Sequence, residues 1–263
     1  MTETFLEKIV VKTREKVERT KSLGYADAVQ RRAEKIRASK VANRFHAALS
    51  RRDRTNIIAE IKRASPSKGV ISADINVAQV ARGYASGGAV AISVLTESDY
   101  FAGDITDLVL ASKTADVPVL RKDFTVDSYQ IYEAAAAGAD AILLIVAALS
   151  EAELVEFSAV ADGLGMDLLI EIHTIEELET AKKIGAKIIG VNNRNLQTLE
   201  VSLDVSRQLI AGRSDDVLMI AESGLSSKEE IDELKALGFD GFLIGETLMR
   251  SGDVVESMRR LSE

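Results

Sequence analysis

Eight short apolar runs recur between residues 56 and 245, separated by amphipathic, Ala-rich stretches of helical periodicity. They are NIIAEIK (56–62), AVAISVLT (89–96), PVLRKD (118–123), AILLIV (141–146), DLLIEI (167–172), IIGVNN (188–193), VLMIAE (217–222) and GFLIG (241–245). A near-continuous apolar strand must be covered on both faces, and helices between the strands supply that cover, which implies a parallel sheet. Helix starts are marked by the capping boxes SEAE (150–153), TIEE (174–177) and SSKE (226–229), in which a hydroxyl and a carboxylate satisfy free N–H groups. AAGAD (136–140), KIGAK (183–187) and ALGFD (236–240) place Gly at the left-handed position that ends a helix before the next strand.

Eight such units predict an α/β fold, the (β/α)8 TIM barrel, and the 263 residues suit a barrel of roughly 250 residues. The alternative is a doubly wound open sheet. That fold usually carries a GxGxxG turn after its first strand, and none is present here. Residues 1 to about 50 read as charged helices, with Phe5, Ile9 and Lys12/Thr13, then Val29, Ala33, Ile36 and Lys40/Val41, at helical spacing. Residues 1–263 are therefore expected to form a single barrel domain with an N-terminal helical extension over the barrel. The charge of that extension is read as solvated helix faces.

The net charge of −8 supplies no positive field for nucleic acid or an anionic membrane surface. The absence of Cys excludes disulfides, thiolate metal sites and cysteine nucleophiles. Two histidines, His46 and His173, are too few for a His-rich metal site. No apolar run reaches the ~18 residues of a membrane span, and the N-terminus lacks a signal peptide's apolar segment. The expectation is a cytoplasmic protein.

Charge collects at the C-terminal ends of the strands, where a barrel of this kind keeps its active site. Side chains alternate faces along a strand, so Glu60 and Lys62 point the same way, as do Asn192 and Arg194. Lys122, Glu171 and Glu222 end their own strands. Partly buried charges cost on the order of several kcal/mol each unless paired. Three cations and three carboxylates on one rim therefore indicate a functional site. Gly224 and Gly245 end two successive strands, and with the helix start at Glu246 and the turn holding Ser65 they point to a phosphorylated ligand. His173 shares the parity of Glu171 and is either a general base or a residue bordering a helix start. His46 packs or faces solvent, and Lys68 and Arg121 are expected at the surface.

The segments IIAEIKRASPSKG, VLRKDFTVDSYQIYEAAAAGADAILLI, LIEIHTIEELETA, IGVNNRNLQTLEVSL and IAESGLSS…GFLIGETLM resemble indole-3-glycerol phosphate synthase over nearly the whole chain. The resemblance implies decarboxylating ring closure and dehydration of 1-(2-carboxyphenylamino)-1-deoxyribulose 5-phosphate, with no metal or organic cofactor. It implies Lys122 as the general acid on the ketone, Glu171 as the second acid/base group and Lys62 as the carboxylate-binding lysine. Glu60, Asn192 and Glu222 would form a polar frame, and Arg194 and Ser223 substrate contacts. Phe101, Leu95, Phe124 and Leu143 would wall the aromatic ring, and Ser65, Gly224, Gly245 and Glu246 would hold phosphate. Some members carry a lysine before the serine of the SPS motif, where this chain has Ala64.

Lysine and glutamate suit this chemistry, which needs a positioned ammonium, stabilised charge, and an acid with a base. An Amadori isomerase related to phosphoribosyl-anthranilate isomerase is a rival reading, but it typically uses a cysteine–aspartate pair. A catalytically inactive barrel serving as a sensor or scaffold is a second rival. The expected partner is a phosphorylated small molecule, with no nucleic acid and no membrane, and the chain is expected to be a monomer.

Overall fold

The computed structural model describes residues 4–66, 69–72 and 74–263. Lys68 lies outside the described residues. Eight parallel strands among them close into a barrel. They are β1 (Ile57–Ile61), β2 (Ala91–Leu95), β3 (Val119–Lys122), β4 (Ala141–Ile145), β5 (Asp167–Ile172), β6 (Ile188–Asn192), β7 (Leu218–Glu222) and β8 (Gly241–Ile244). Closure is seen in β1, where Ile58 pairs with Ala91 of β2 on one side and Leu243 of β8 on the other. After β1, Ala64–Ser65 and Gly69–Val70 make a small antiparallel hairpin.

The period-two alternation splits the core into two layers. Ile58, Leu120, Leu143, Leu169, Ile220 and Leu243 fill the lumen. Ile57, Ala59, Ile92, Ile142, Ile170 and Ile189 face the outer helices. Those helices are α4 (Val77–Ser86), α5 (Ile105–Thr114), α6 (Ser128–Ala137), α7 (Glu151–Gly163), α8 (Ile175–Lys183), α9 (Asp204–Leu209), α10 (Lys228–Leu237), α11 (Glu246–Met249) and α12 (Val254–Ser262). The expected box at Ser150–Glu153 caps α7. That of α10 is one residue later than expected, with Ser227 and Glu230, because adjacent serines and adjacent glutamates make both registers readable. Thr174 caps α8, but the Glu177 carboxylate takes the N–H of His173 at 2.7 Å rather than closing the box. Gly138 and Gly238 end α6 and α10 at φ 93° and 116°.

Arg121 is not at the surface, as its sequence position suggested. Its parity is opposite to that of Lys122, so it enters the sheet–helix layer at 5% exposure. There it pairs with Asp123 at 3.1 Å and Glu133 at 2.8 Å. Arg63 likewise turns away from the lumen and pairs with Asp107 at 2.8 Å.

The N-terminal helices α1 (Phe5–Ser22), α2 (Ala26–Arg37) and α3 (Arg44–Leu49) occupy three different places. α1 crosses the C-terminal end of the barrel. It buries Ile9, and Arg14 donates to Val126 O at 2.9 Å and pairs with Glu153 at 2.7 Å. Lys21 pairs with Asp127 at 2.8 Å, and Phe5 meets Tyr100 edge-on at 5.1 Å. α2 packs along α6. α3 plugs the opposite end, where Phe45 and Leu49 join the lumen cluster and the N–H groups of Phe45 and His46 donate to Asp167 at 2.9 and 3.0 Å. Among the described residues no helix is long and apolar enough to cross a membrane.

Not all of the basic charge in this segment is solvated. Arg37 is 7% exposed and donates to Leu164 O at 2.9 Å and Ala139 O at 3.2 Å. Asp140 gathers Arg37 at 3.5 Å, Lys40 at 3.0 Å and Arg44 at 3.6 Å, and accepts the Val119 N–H at 3.0 Å. Removing one partner of a buried charge network typically costs about 3–5 kcal/mol. Asp140→Ala should therefore lower the unfolding free energy by about that amount in a urea titration, with KM unchanged, because Asp140 lies at the end of the barrel opposite the charged rim. Deleting α1 through Ser22 should do the reverse, raising KM while moving Tm little. A truncated protein with wild-type KM would show that α1 does not shape the site.

Candidate active site

The strands deliver the predicted charges to one place. Glu60, Lys62, Lys122, Glu171, Asn192, Arg194 and Ser223 line one cavity at the C-terminal end of the lumen. Its other wall is apolar, built from Leu95, Phe101, Phe124 and Leu143. Phe101 and Phe124 have ring centroids 6.3 Å apart. Phe5 of α1 closes this slot. The loop carrying Phe101 is held by Glu97, whose carboxylate accepts the N–H groups of Asp99, Tyr100 and Phe101 at 2.8, 2.7 and 3.2 Å.

A second cleft of about 490 Å³ adjoins the slot. It shares Glu60, Lys62, Lys122, Arg194 and Ser223 with the slot and adds Gly224, Gly245, Glu246, Thr247 and Arg250. Gly224 adopts φ 82° and Ser223, a non-glycine, φ 63°, a region most side chains avoid. A Cβ on Gly245 would collide with Glu60 Oε1, so this glycine makes room for the carboxylate. Ser65 does not line this cleft. It lines the apolar slot beside Pro66, with its buried hydroxyl unpartnered among the described residues.

Lys122 lies at the centre. Its Nζ is 2.7 Å from Glu171 Oε2 and 3.2 Å from Glu222 Oε2. Lys62 pairs with Glu60 at 2.9 Å. Asn192 donates to Glu171 Oε1 at 3.0 Å and accepts the Arg194 N–H at 3.0 Å. Burial disfavours the Lys122 ammonium, but Glu171, Glu222 and Glu60 outweigh it and raise its pKa. The two carboxylates it bridges are driven apart. Burial pushes both upward, yet Lys122, His173 and the Asn192 hydrogen bond hold Glu171 down to about 2. Burial, with repulsion from Glu171 and Glu60, takes Glu222 up to about 7 despite Lys122. One ammonium thus sits between an ionised carboxylate and one titrating near neutrality, a division suited to acid–base work.

The sequence profile of indole-3-glycerol phosphate synthase matches residues 6–261. The chain belongs to the indole-3-glycerol phosphate synthase family. An indole-3-glycerol phosphate synthase of Endomicrobium trichonymphae is 47% identical over 258 residues, covering 98% of this chain and 99% of its own. That of Desulfosudis oleivorans is 49% identical over 207 residues, 79% of each chain. Two solved structures share the barrel fold alone. Thiamine phosphate pyrophosphorylase from Pyrococcus furiosus aligns with a TM-score of 0.59 at 18% identity, covering 79% of this chain and 93% of that one. N-acetylmannosamine-6-phosphate 2-epimerase from Clostridium perfringens aligns at 0.58 and 15%, covering 74% and 88%.

Several lining residues of this family member escaped the sequence reading. Leu196 and Leu199 complete the apolar slot, and Thr247 and Arg250 the glycine-lined cleft. The first pair stands in the NRNLQTL segment, whose leucines look like ordinary loop residues without the fold. Gly190 was missed as well. It faces the lumen in β6, where a Cβ would collide with Glu222 Oε1 and crowd Leu169. Gly190→Ala should displace the Glu222 carboxylate from Lys122. A misplacement of about 1 Å can cost on the order of 10²-fold, so kcat should fall by that order while the circular dichroism spectrum stays that of the wild type.

Proposed function

We propose that Lys122 is the general acid of the indole-3-glycerol phosphate synthase reaction in this site. The supporting observation is its ammonium, held between Glu171 and Glu222 where the apolar slot meets the glycine-lined cleft. In the reaction, 1-(2-carboxyphenylamino)-1-deoxyribulose 5-phosphate gives indole-3-glycerol phosphate, CO2 and water. The slot of Leu95, Phe101, Phe124 and Leu143 receives the aromatic ring. Lys62 binds its carboxylate. The phosphate enters the cleft beside Gly224, Gly245 and the Glu246 backbone. The ketone then lies between the two ends of the substrate, beside Lys122.

Protonation of the ketone oxygen by Lys122 accompanies attack of the ring carbon. Loss of CO2 then quenches the positive charge left on nitrogen. Dehydration needs one proton delivered to the leaving hydroxyl, which the Lys62 ammonium in the same cavity supplies, and one removed, and Glu171, ionised and 2.7 Å from Lys122, serves as the base. Glu60, Asn192 and Glu222 orient the lysines and the sugar hydroxyls, and Arg194 and Ser223 contact the substrate. Ser65, on the slot side, reaches the phosphate only from that side. A monomer would suffice for this reading, since a single chain supplies every group it calls on. The lumen cluster shared by α3 and the strands supports one domain. A phosphorylated substrate does not cross membranes unaided, which supports a cytoplasmic location.

The Trp-free chain permits a direct assay, since indole fluorescence should grow when the substrate is added. Removing a general acid costs about 10²–10⁴-fold in rate, whereas a group that binds ground and transition states equally shows in KM. Lys122→Met should lower kcat in that range and leave the titrated substrate Kd nearly unchanged. Lys62→Met should raise Kd. Near wild-type kcat in Lys122→Met would transfer the acid role to Lys62 or Glu171.

A further inference from the structure

The reaction consumes one proton per turnover. The substrate enters as a carboxylate and its carbon leaves as CO2. The proton that Lys122 gives the ketone departs in water, and the dehydration gives one proton and takes one. The site thus gives two protons, to the ketone and to the leaving hydroxyl, and takes back one on Glu171, so one must come from solvent, although α1 lies over the mouth and the substrate fills the slot.

His173 is placed for this task. It lines neither the apolar slot nor the glycine-lined cleft. It lines a third cleft, of about 560 Å³, whose walls include Thr4, Glu7, Glu177, Asn195 and Glu200. Its Nε2 is 3.5 Å from Glu171 Oε1, on the far side of that carboxylate from Lys122. Its Nδ1 is 3.3 Å from Glu177 Oε2, the same oxygen that accepts the His173 N–H. The half-closed cap of α8 thus orients the ring at rest through a single contact that a turn of the ring would release. Lys122, Glu171, His173 and Glu177 follow one another from the reacting position to the third cleft, the His173–Glu171 step being an ion-pair separation of 3.5 Å at which the buried Nε2 makes no hydrogen bond among the described residues.

We propose that His173 is the proton inlet of the site, passing its Nε2 proton to Glu171, which returns it to Lys122. This rests on Lys122 being the acid. The transfer breaks the Nε2–H bond and makes an O–H bond on Glu171. The lone pair stays on nitrogen, and the neutral ring regains a proton from water in the third cleft by turning about its Cβ–Cγ bond. The carboxylates beside His173 are Glu171 of β5, whose end His173 follows, and Glu177 of α8, and Glu222 of β7 acts on it from farther off. Glu7 of α1 and Arg194 share the cleft wall. Burial works against the imidazolium, but Glu177, Glu171 and Glu222 outweigh it and raise the His173 pKa. Asn192 holds Glu171 independently, so His173 acts through Glu171 as a relay and positioning residue and not on substrate.

The experiment compares full-length wild type, His173→Gln and His173→Ala by indole fluorescence. Gln keeps a neutral donor toward Glu171 but carries no proton to give, so a purely structural role would survive it. Both variants should lose on the order of 10²-fold in kcat at neutral pH, with KM little changed and an enlarged solvent deuterium isotope effect. Added imidazole, entering the third cleft, should restore His173→Ala in proportion to its protonated fraction. Wild-type kcat in His173→Gln would overturn the inlet. So would loss in both variants with no imidazole rescue and no change in isotope effect. If one variant fails to fold, the other decides alone, by isotope effect for Gln and by rescue for Ala. A wild type that forms no indole product would instead sink the functional reading itself.

Discussion

One ammonium held between two carboxylates organises this molecule. Lys122, Glu171 and Glu222 sit almost out of solvent, with side-chain exposures of 14%, 2% and 2%. Burying such groups costs several kcal/mol per ion, repaid only by good geometry. The barrel supplies that geometry because eight strands converge and every second residue points into one lumen. Below the charges the lumen is filled by Ile, Leu and Ala, which keeps water out and strengthens the remaining electrostatics. Gly190 and Gly245 give up their side chains to carboxylates at the same level. The apolar plug, the small residues and the ion triad are one packing solution.

The N-terminal segment ties the two ends of this solution together. α3 stoppers the end opposite the site with Phe45 and Leu49, and α1 covers the site with Phe5 and Ile9. α2, running along α6, links them. The Asp140 network fixes the lower part by ionic contacts that are largely desolvated. α1 is held in part by surface contacts such as Arg14–Glu153. Exposed pairs are worth about 0–1 kcal/mol, so the covering helix is the weaker end. That difference suits a segment which must admit a substrate.

Much of this was legible in the chain. Period-two alternation in AEIK and IEIH places Glu60, Lys62 and Glu171 on the lumen face without any coordinates. The glycines of AAGAD and ALGFD mark helix ends because φ near +90° admits few other residues. The same parity rule, applied to Arg121, argues against a surface position, since an outward residue of a barrel strand meets a helix. Leu196 and Leu199 had no periodic signal, because loops impose none. Arg37 read as solvated because a helical charge pattern does not say which carbonyls a neighbouring loop will offer.

The sequence by itself determined the barrel, the end of it that carries charge, and the residue types available for acid–base chemistry. These follow from local periodicity, cap chemistry and composition, each a property of short segments. Only the tertiary structure decided which charges touch. Lys122 takes Glu171 and Glu222 from strands 49 or more positions away in sequence, and their opposite protonation follows from burial and from which oxygens Asn192 and His173 reach. Contact between distant strands is set by barrel closure and the volumes that fill the lumen, quantities that belong to the whole chain and to none of its segments.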